Sequence, residues 1–312
     1  MRTLTFLTII FCLVISSYAL STSPGAGTVA FPFLLETDTG AKASAVAGAW
    51  VGWAKSADCF TYNPAATTLR RKQSVVASFG NFWGLLNSGF VGYTNRLNDN
   101  EAFSLGFHLV SYGEFIQTDE MGEITGEFTG NDFAVIGSYA RKMFANLSAG
   151  LNTRLLYSAI DTFTQSAISF DVGIMYNDKR DDFRAGLVFS NLGLLISKYG
   201  DDSAPLPWAV KLGGYYDLPG FPGEIGAQIE TSADVDIRAR VGLELDFLKP
   251  FYLRFGYLLK PKPENDPSNS EQLDGLTAGA GIHYKNITFN YSVQNYGVLG
   301  FVHRAEIGYI AF

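Results

Sequence analysis

The sequence predicts an all-β fold, a transmembrane antiparallel β-barrel of about 14 strands behind a short N-terminal plug-like segment. Three observations predict it. Apolar and polar residues alternate with period two along most of the chain. The first residues read as an export signal, and no later apolar run is long enough for a membrane helix, so a closed sheet is left as the way to satisfy backbone groups in lipid. Phe, Trp and Tyr make up 14% of the chain, and Trp83, Tyr157, Tyr176, Trp208, Tyr215, Tyr252, Tyr257 and Tyr284 stand near strand ends, where interfacial girdles form.

The elements follow in order. Arg2, the apolar stretch Leu4 to Ile15 and Ser17-Tyr18-Ala19 have the form of a secretory signal, so residues 1–19 are expected to be removed by cleavage after Ala19. Cys12 is expected to leave with them, so that Cys59 is the one cysteine of the mature chain, no intrachain disulfide is expected, and stability has to come from the sheet. Residues 20–72 are rich in Ala and Gly; the small residues from Ala41 to Trp53 permit close backbone approach, and this segment is expected to thread into the lumen rather than trail as a periplasmic tail. Asn63-Pro64 reads as a rigid turn into the first strand.

Residues 73–312 read as the barrel. Less regular strand runs lie near 74–83, 87–96, 101–117 and 127–142. Alternation sharpens at Leu147 to Tyr157 and at Ile168 to Tyr176 and continues through Phe183 to Phe189, 206–218 and Ile225 to Ile229. It is clearest from Ile237 to Phe247, where Val241, Leu243 and Leu245 take one face and Arg238, Arg240 and Glu244 the other. Phe251 to Leu259, Leu276 to Tyr284, Ile287 to Val293 and 301–312 complete the set. Connectors at 98–100, 177–182, 248–250 and 285–286 are tight, whereas those at 118–126, 191–206 and 260–274 are longer. That parity suits periplasmic turns and outer loops, with both mature termini periplasmic. A secreted β-sandwich shows the same period, but it explains the aromatic strand ends less well. Glycines inside strands, such as Gly279 and Gly281, suit a crowded inner surface, and Phe312 ends the last strand on an aromatic residue.

The polar faces carry Arg154, Asp171, Glu224, Glu230, Arg238, Arg240, Glu244, Asp246 and Arg254, with both signs interleaved. Such residues either line a wet path or pair across neighbouring strands; an ion-selective pore more naturally shows one sign. His108, His283 and His303 lie on separate strands without a carboxylate or cysteine at ligand spacing, and no nucleophile motif or phosphate loop is present, so neither a cofactor nor catalysis is expected. The net charge of −7 argues against a nucleic-acid partner. Among the longer connectors, Glu120 and Glu123, and Leu195, Ile196 and Tyr199, are the candidates for contact with a partner protein; plain solvation is the alternative for the acidic stretch.

Several motifs carry a resemblance. Phe31-Pro32-Phe33-Leu34 is followed by an Ala-rich stretch ending at Gly48, then by Asn63-Pro64-Ala65. Further on stand Tyr112-Gly113, Asp119 and Gly122 within Thr118-Asp119-Glu120-Met121-Gly122, and Asn191 and Gly193 within Ser190-Asn191-Leu192-Gly193. Together these resemble the PorV/PorQ family of outer-membrane barrels, with the PorQ branch nearer. The resemblance implies a FadL-like barrel of the type IX secretion system, embedded in outer-membrane lipid. It would act without catalysis, as a PorQ-like component of the cell-surface attachment complex that binds secretion and attachment proteins. The alternative is a FadL-type transporter of hydrophobic compounds.

Overall fold

The computed structural model describes residues 29–69, 73–199, 204–233, 237–259 and 274–311. The expected signal segment, Phe312 and most of the 260–274 connector lie outside the described residues.

Fourteen strands close into one antiparallel barrel in which each strand pairs with its sequence neighbours and the last with the first. They are β1 (Ser74–Phe82), β2 (Leu86–Arg96), β3 (Glu101–Thr118), β4 (Ile124–Phe144), β5 (Leu147–Ile160), β6 (Phe163–Asn177) and β7 (Phe183–Ser197). Then come β8 (Ala209–Asp217), β9 (Gly223–Ser232), β10 (Arg238–Leu248), β11 (Phe251–Leu259), β12 (Leu276–Tyr284), β13 (Ile287–Asn295) and β14 (Phe301–Ile310). Closure runs from Ser74 opposite Ile310 to Phe82 opposite Val302.

Strand β6 shows why the alternation gives a membrane barrel and not a sandwich. Its polar and small residues Gln165, Ala167, Ser169 and Asp171 are buried, whereas Phe170, Val172, Ile174 and Tyr176 are 38–42% exposed. Apolar-out, polar-in is the reverse of a soluble sheet, and it is what a lipid-facing wall around a filled lumen requires.

The strands overrun the expected boundaries at three places. β3 and β4 reach Thr118 and Ile124, leaving only five residues of the 118–126 connector as turn. β5 and β6 meet at Asp161-Thr162. β7 continues through residues 191–197, which the Gly and Leu content of that stretch disguises as a connector. A bulge explains the last case: the β6–β7 register shifts between Phe170 and Val172, and Asn191 takes a φ of 59° that breaks the alternation without ending the ladder.

Residues 29–69 lie inside the barrel as α1 (Pro32–Glu36), α2 (Ala41–Ala45), α3 (Cys59–Tyr62) and a 3-10 turn (Pro64–Leu69). Helices of four or five residues do not persist alone, so packing has to hold them. Trp50 and Trp53 stack at 5.2 Å and are essentially fully buried, as are Phe60, Ala43 and Ala65. Room for this segment comes from inward glycines: a Cβ at Gly173 would lie 2.3 Å from the Asn63 Oδ1, and one at Gly256 would lie 2.4 Å from the Val46 carbonyl carbon. Gly279 similarly receives Ala45, and Gly281 makes space for Arg254 and Asn290. The glycines of the wall are therefore a seat for the inner segment.

Candidate functional site

Two regions carry the residues singled out by sequence: a lattice of charges in the lumen, and the rim at the β3–β4 end. In the lumen, alternation turns Arg154 (β5) and Asp171 (β6) inward on neighbouring strands. Their ion pair is 2.7 Å long and almost fully buried. Asp171 also accepts from the Asn152 Nδ2 at 2.8 Å and the Asn191 backbone N at 2.9 Å. Arg154 donates further to the Asn191 Oδ1 at 2.6 Å and the Thr61 carbonyl at 3.2 Å, which ties wall to inner segment. The bulge is what brings the Asn191 backbone and side chain to the same charge pair.

A second cluster lies across β9 and β10. Glu230 receives Arg240 at 2.7 Å and Arg238 at 3.0 Å; Arg240 also donates to the Ala47 carbonyl at 2.8 Å, and Arg238 lies 3.7 Å from Glu36. A third chain runs from Glu244 to Arg254, then from Arg254 to the Asn290 Oδ1 at 3.0 Å and from the Asn290 Nδ2 to Glu306 at 2.9 Å. Glu306 accepts from the Lys42 backbone N at 3.3 Å. All five sequence-predicted lumen charges, Arg154, Arg238, Arg240, Glu244 and Arg254, thus sit inside and meet opposite charges. Buried charges of mixed sign need such partners, and here these knit the wall to the inner segment.

Within the inner segment, Asp58 is buried beside Glu306, both carboxylates crowding Gly40. Burial, reinforced by the charge of Glu306, pushes the Asp58 carboxyl up to about 7. The Thr39 hydroxyl donates to Asp58 at 3.3 Å, and Ser56 hydrogen-bonds its other oxygen.

The motif residues have structural duties. Phe33 packs edge-on to Trp83 and Tyr112, with centroids 6.1 and 6.0 Å away, and Leu34 is buried behind it. Gly48, at φ 74°, lies against the Arg240 guanidinium. Asn63 is a three-way clip: its Oδ1 accepts from the Ala65 N at 3.0 Å, and its Nδ2 donates to the Val51 carbonyl at 3.2 Å and the Ile174 carbonyl at 3.1 Å. Pro64 then opens the 3-10 turn and Ala65 packs against β5 at Gly150. Tyr112 donates to Asp132 at 2.6 Å beside the bulge where Gly113 has a φ of 78°. Gly193 crosses closely over the Ile168 carbonyl.

At the rim, Asp119 closes the β3–β4 turn by accepting from the Met121 and Glu123 backbone N at 2.9 Å each, with Gly122 at φ 83°. Glu120 and Glu123 are exposed on this turn. Of the other candidates, two stand on a strand and not in a loop. Leu195 and Ile196 lie on β7; the bulge turns Leu195 inward against Phe31, Leu206 and their neighbours, and leaves Ile196 on the outer face. Tyr199 is half-buried and donates to Ser158, so its hydroxyl is already engaged.

Sequence reasoning missed Arg184, Arg304 and Glu306 as inward groups, although period two along β7 and β14 would have found them. Arg184 reaches the Trp53 carbonyl at 3.1 Å, and the buried Arg304 guanidinium lies 5.4 Å from the Phe82 ring over Gly80. Asp58 and Glu36 left no periodic signal because the inner segment has none.

Comparison with known proteins bears on both regions. The barrel is similar in fold to the Pseudomonas putida toluene transporter TodX, with a TM-score of 0.58 at 12% identity over 86% of this chain and 96% of that one. It is also similar to a Pseudomonas aeruginosa FadL homologue, with a TM-score of 0.55 at 12% identity over 87% and 98% of the two chains. At such identity the likeness is one of fold, and the fold is FadL-like. No curated protein matches the chain. A family model described as type IX secretion system protein PorV matches residues 22–219, which take in the inner segment, the Asn63-Pro64-Ala65 clip, the rim hairpin and β1 to β8. Because that match covers more than half of the 312 residues, the chain belongs to the PorV family of type IX secretion system proteins.

Proposed function

We propose that this chain is an outer-membrane component of the type IX secretion system that binds other proteins of the apparatus without catalysing a reaction, in a PorQ-like role within the cell-surface attachment complex. The observation that carries the reading is the family match over residues 22–219 together with a lumen occupied by residues 29–69. A charge lattice that spends its donors on the inner segment leaves the outer rim, not the bore, as the working surface. In this reading residues 1–19 direct export and are removed, residues 20–72 plug the barrel, and residues 73–312 span the outer membrane with both ends periplasmic. Affinity capture of the tagged protein from native outer membranes should recover secretion or attachment components. Recovery of the barrel alone would refute the reading.

A second reading, transport of hydrophobic compounds, is favoured by one observation besides the fold. A cavity of about 270 Å³ near the rim is walled by Phe33, Phe82, Trp83 and Tyr296, but also by Arg238, Arg240, Glu36 and Asp38. The charged half suits an apolar cargo poorly. Uptake of a radiolabelled fatty acid by liposomes holding the purified barrel separates the two readings: saturable uptake supports transport, and its absence supports the scaffold.

A further inference from the structure

The wall of the barrel stops short of the β3–β4 turn. Pairing of β2 with β3 ends at Asn87 opposite Ser111, and pairing of β4 with β5 ends at Gly130 opposite Ile160. Beyond that level the hairpin pairs only with itself, from Glu114 opposite Thr129 to Thr118 opposite Ile124, and among the described residues neither of its edges has a partner strand. An isolated two-stranded ribbon is marginal in water. This one is held by the Phe115–Phe128 stack at 5.1 Å and by the Asp119 turn.

Its surface is unusual in two ways at once. Ile116, Met121 and Ile124 are 62%, 91% and 70% exposed. Residues 112–129 also contain Glu114, Asp119, Glu120, Glu123 and Glu127 and no Lys, Arg or His. A purely solvating tip has no use for three large apolar side chains. Five carboxylates beside them, with no basic residue in this stretch of the hairpin and no ion pair among the described residues, oppose a second copy of the same hairpin and an anionic lipid headgroup alike. They favour a surface that brings cations to an apolar contact.

We propose that the free part of this hairpin, residues 114–129, is a docking element for a protein partner whose contact surface combines apolar side chains with lysines and arginines. The inference rests on the secretion reading only for the partner's place in the apparatus. It is tested in the native host by placing a photo-crosslinking amino acid at Met121, with one at Leu97, on the β2–β3 turn at the other end, as the control. Adducts are digested and sequenced by mass spectrometry. Met121, and not Leu97, should yield a protein adduct whose linked peptide carries Lys or Arg beside apolar residues. The yield should fall at least tenfold in the triple variant Glu120→Lys/Glu123→Lys/Glu127→Lys, while the heat-modifiable gel shift of the folded barrel is retained. Should the triple variant fail to assemble, Ile116→Ser/Ile124→Ser carries the same expectation. An undiminished adduct, an acidic linked peptide, adducts only to lipid or to a second copy, or no adduct at all overturns the proposal. A basic partner outside the secretion apparatus keeps the docking inference and sinks the secretion reading. Secretion that is lost without the barrel yet survives charge reversal of the hairpin, with the adduct also undiminished, does the opposite.

Discussion

Replacing Asp171 with alanine tests whether the lumen charges are a structural lattice. The carboxylate accepts from Arg154 at 2.7 Å, from Asn152 at 2.8 Å and from the Asn191 backbone at 2.9 Å, and all of these groups are buried. Removing it strands the Arg154 guanidinium, which cannot shed its proton, in an almost fully buried site. Breaking a buried pair from one side costs about 3–5 kcal/mol, so Asp171→Ala should lose stability of that order. Because the penalty comes from the orphaned charge, Asp171→Leu combined with Arg154→Met should recover most of it. Equilibrium unfolding in urea, followed by tryptophan fluorescence of the barrel in detergent micelles, measures both. A single variant that loses less than about 1 kcal/mol, or a double variant no better than the single, would refute the pairing argument and point to a hydrated lumen.

Other consequences are open to measurement. Asn63→Ala removes the clip to Ala65, Val51 and Ile174 and should cost about 2–3 kcal/mol by the same unfolding assay, at roughly 1 kcal/mol per bond; no loss would show that the inner segment is held without it. Gly173→Val and Gly256→Val should unseat residues 29–69 and open them to added protease while leaving the sheet content in circular dichroism unchanged; continued protection would contradict the seat. Asp58 holds its proton to about pH 7 when folded, against 3.8 as its ordinary value. The unfolded chain therefore ionises first, and the Asp58 contribution to stability should fall as pH rises from about 4 to 7 and level off above that. Asp58→Asn should remove this part of the slope in urea midpoints taken across that range, and an unchanged slope would assign it to another group.

Much of the wall was legible because a strand in lipid has one simple rule. Outward residues such as Val172 and Ile174 have to be apolar and inward ones such as Asp171 need not be, so period two reveals the face of nearly every residue on β5, β6 and β10. The rule fails where the backbone departs from it. Asn191 gave no sign in the pattern that it sits at a bulge, and the error spread to Leu195 and Ile196, which were read as loop. The candidate site divides in the same way. The acidic turn at Glu120 and Glu123 was visible as composition, but its freedom from the wall depends on where β2 and β5 stop pairing, which is a matter of register.

The sequence by itself determined the class of the molecule: an alternating chain with aromatic strand ends, charges of both signs on its inner faces and family motifs from Phe31 to Gly193. Tertiary structure alone decided which charges meet, that residues 29–69 of the Ala- and Gly-rich segment pack inside the barrel, and which acidic turn stands clear of the rim. The physical reason is range. Facing is set by neighbours two residues apart, whereas the Arg154–Asp171–Asn191 cluster and the Asn63–Ile174 clip join residues brought together only when the barrel closes.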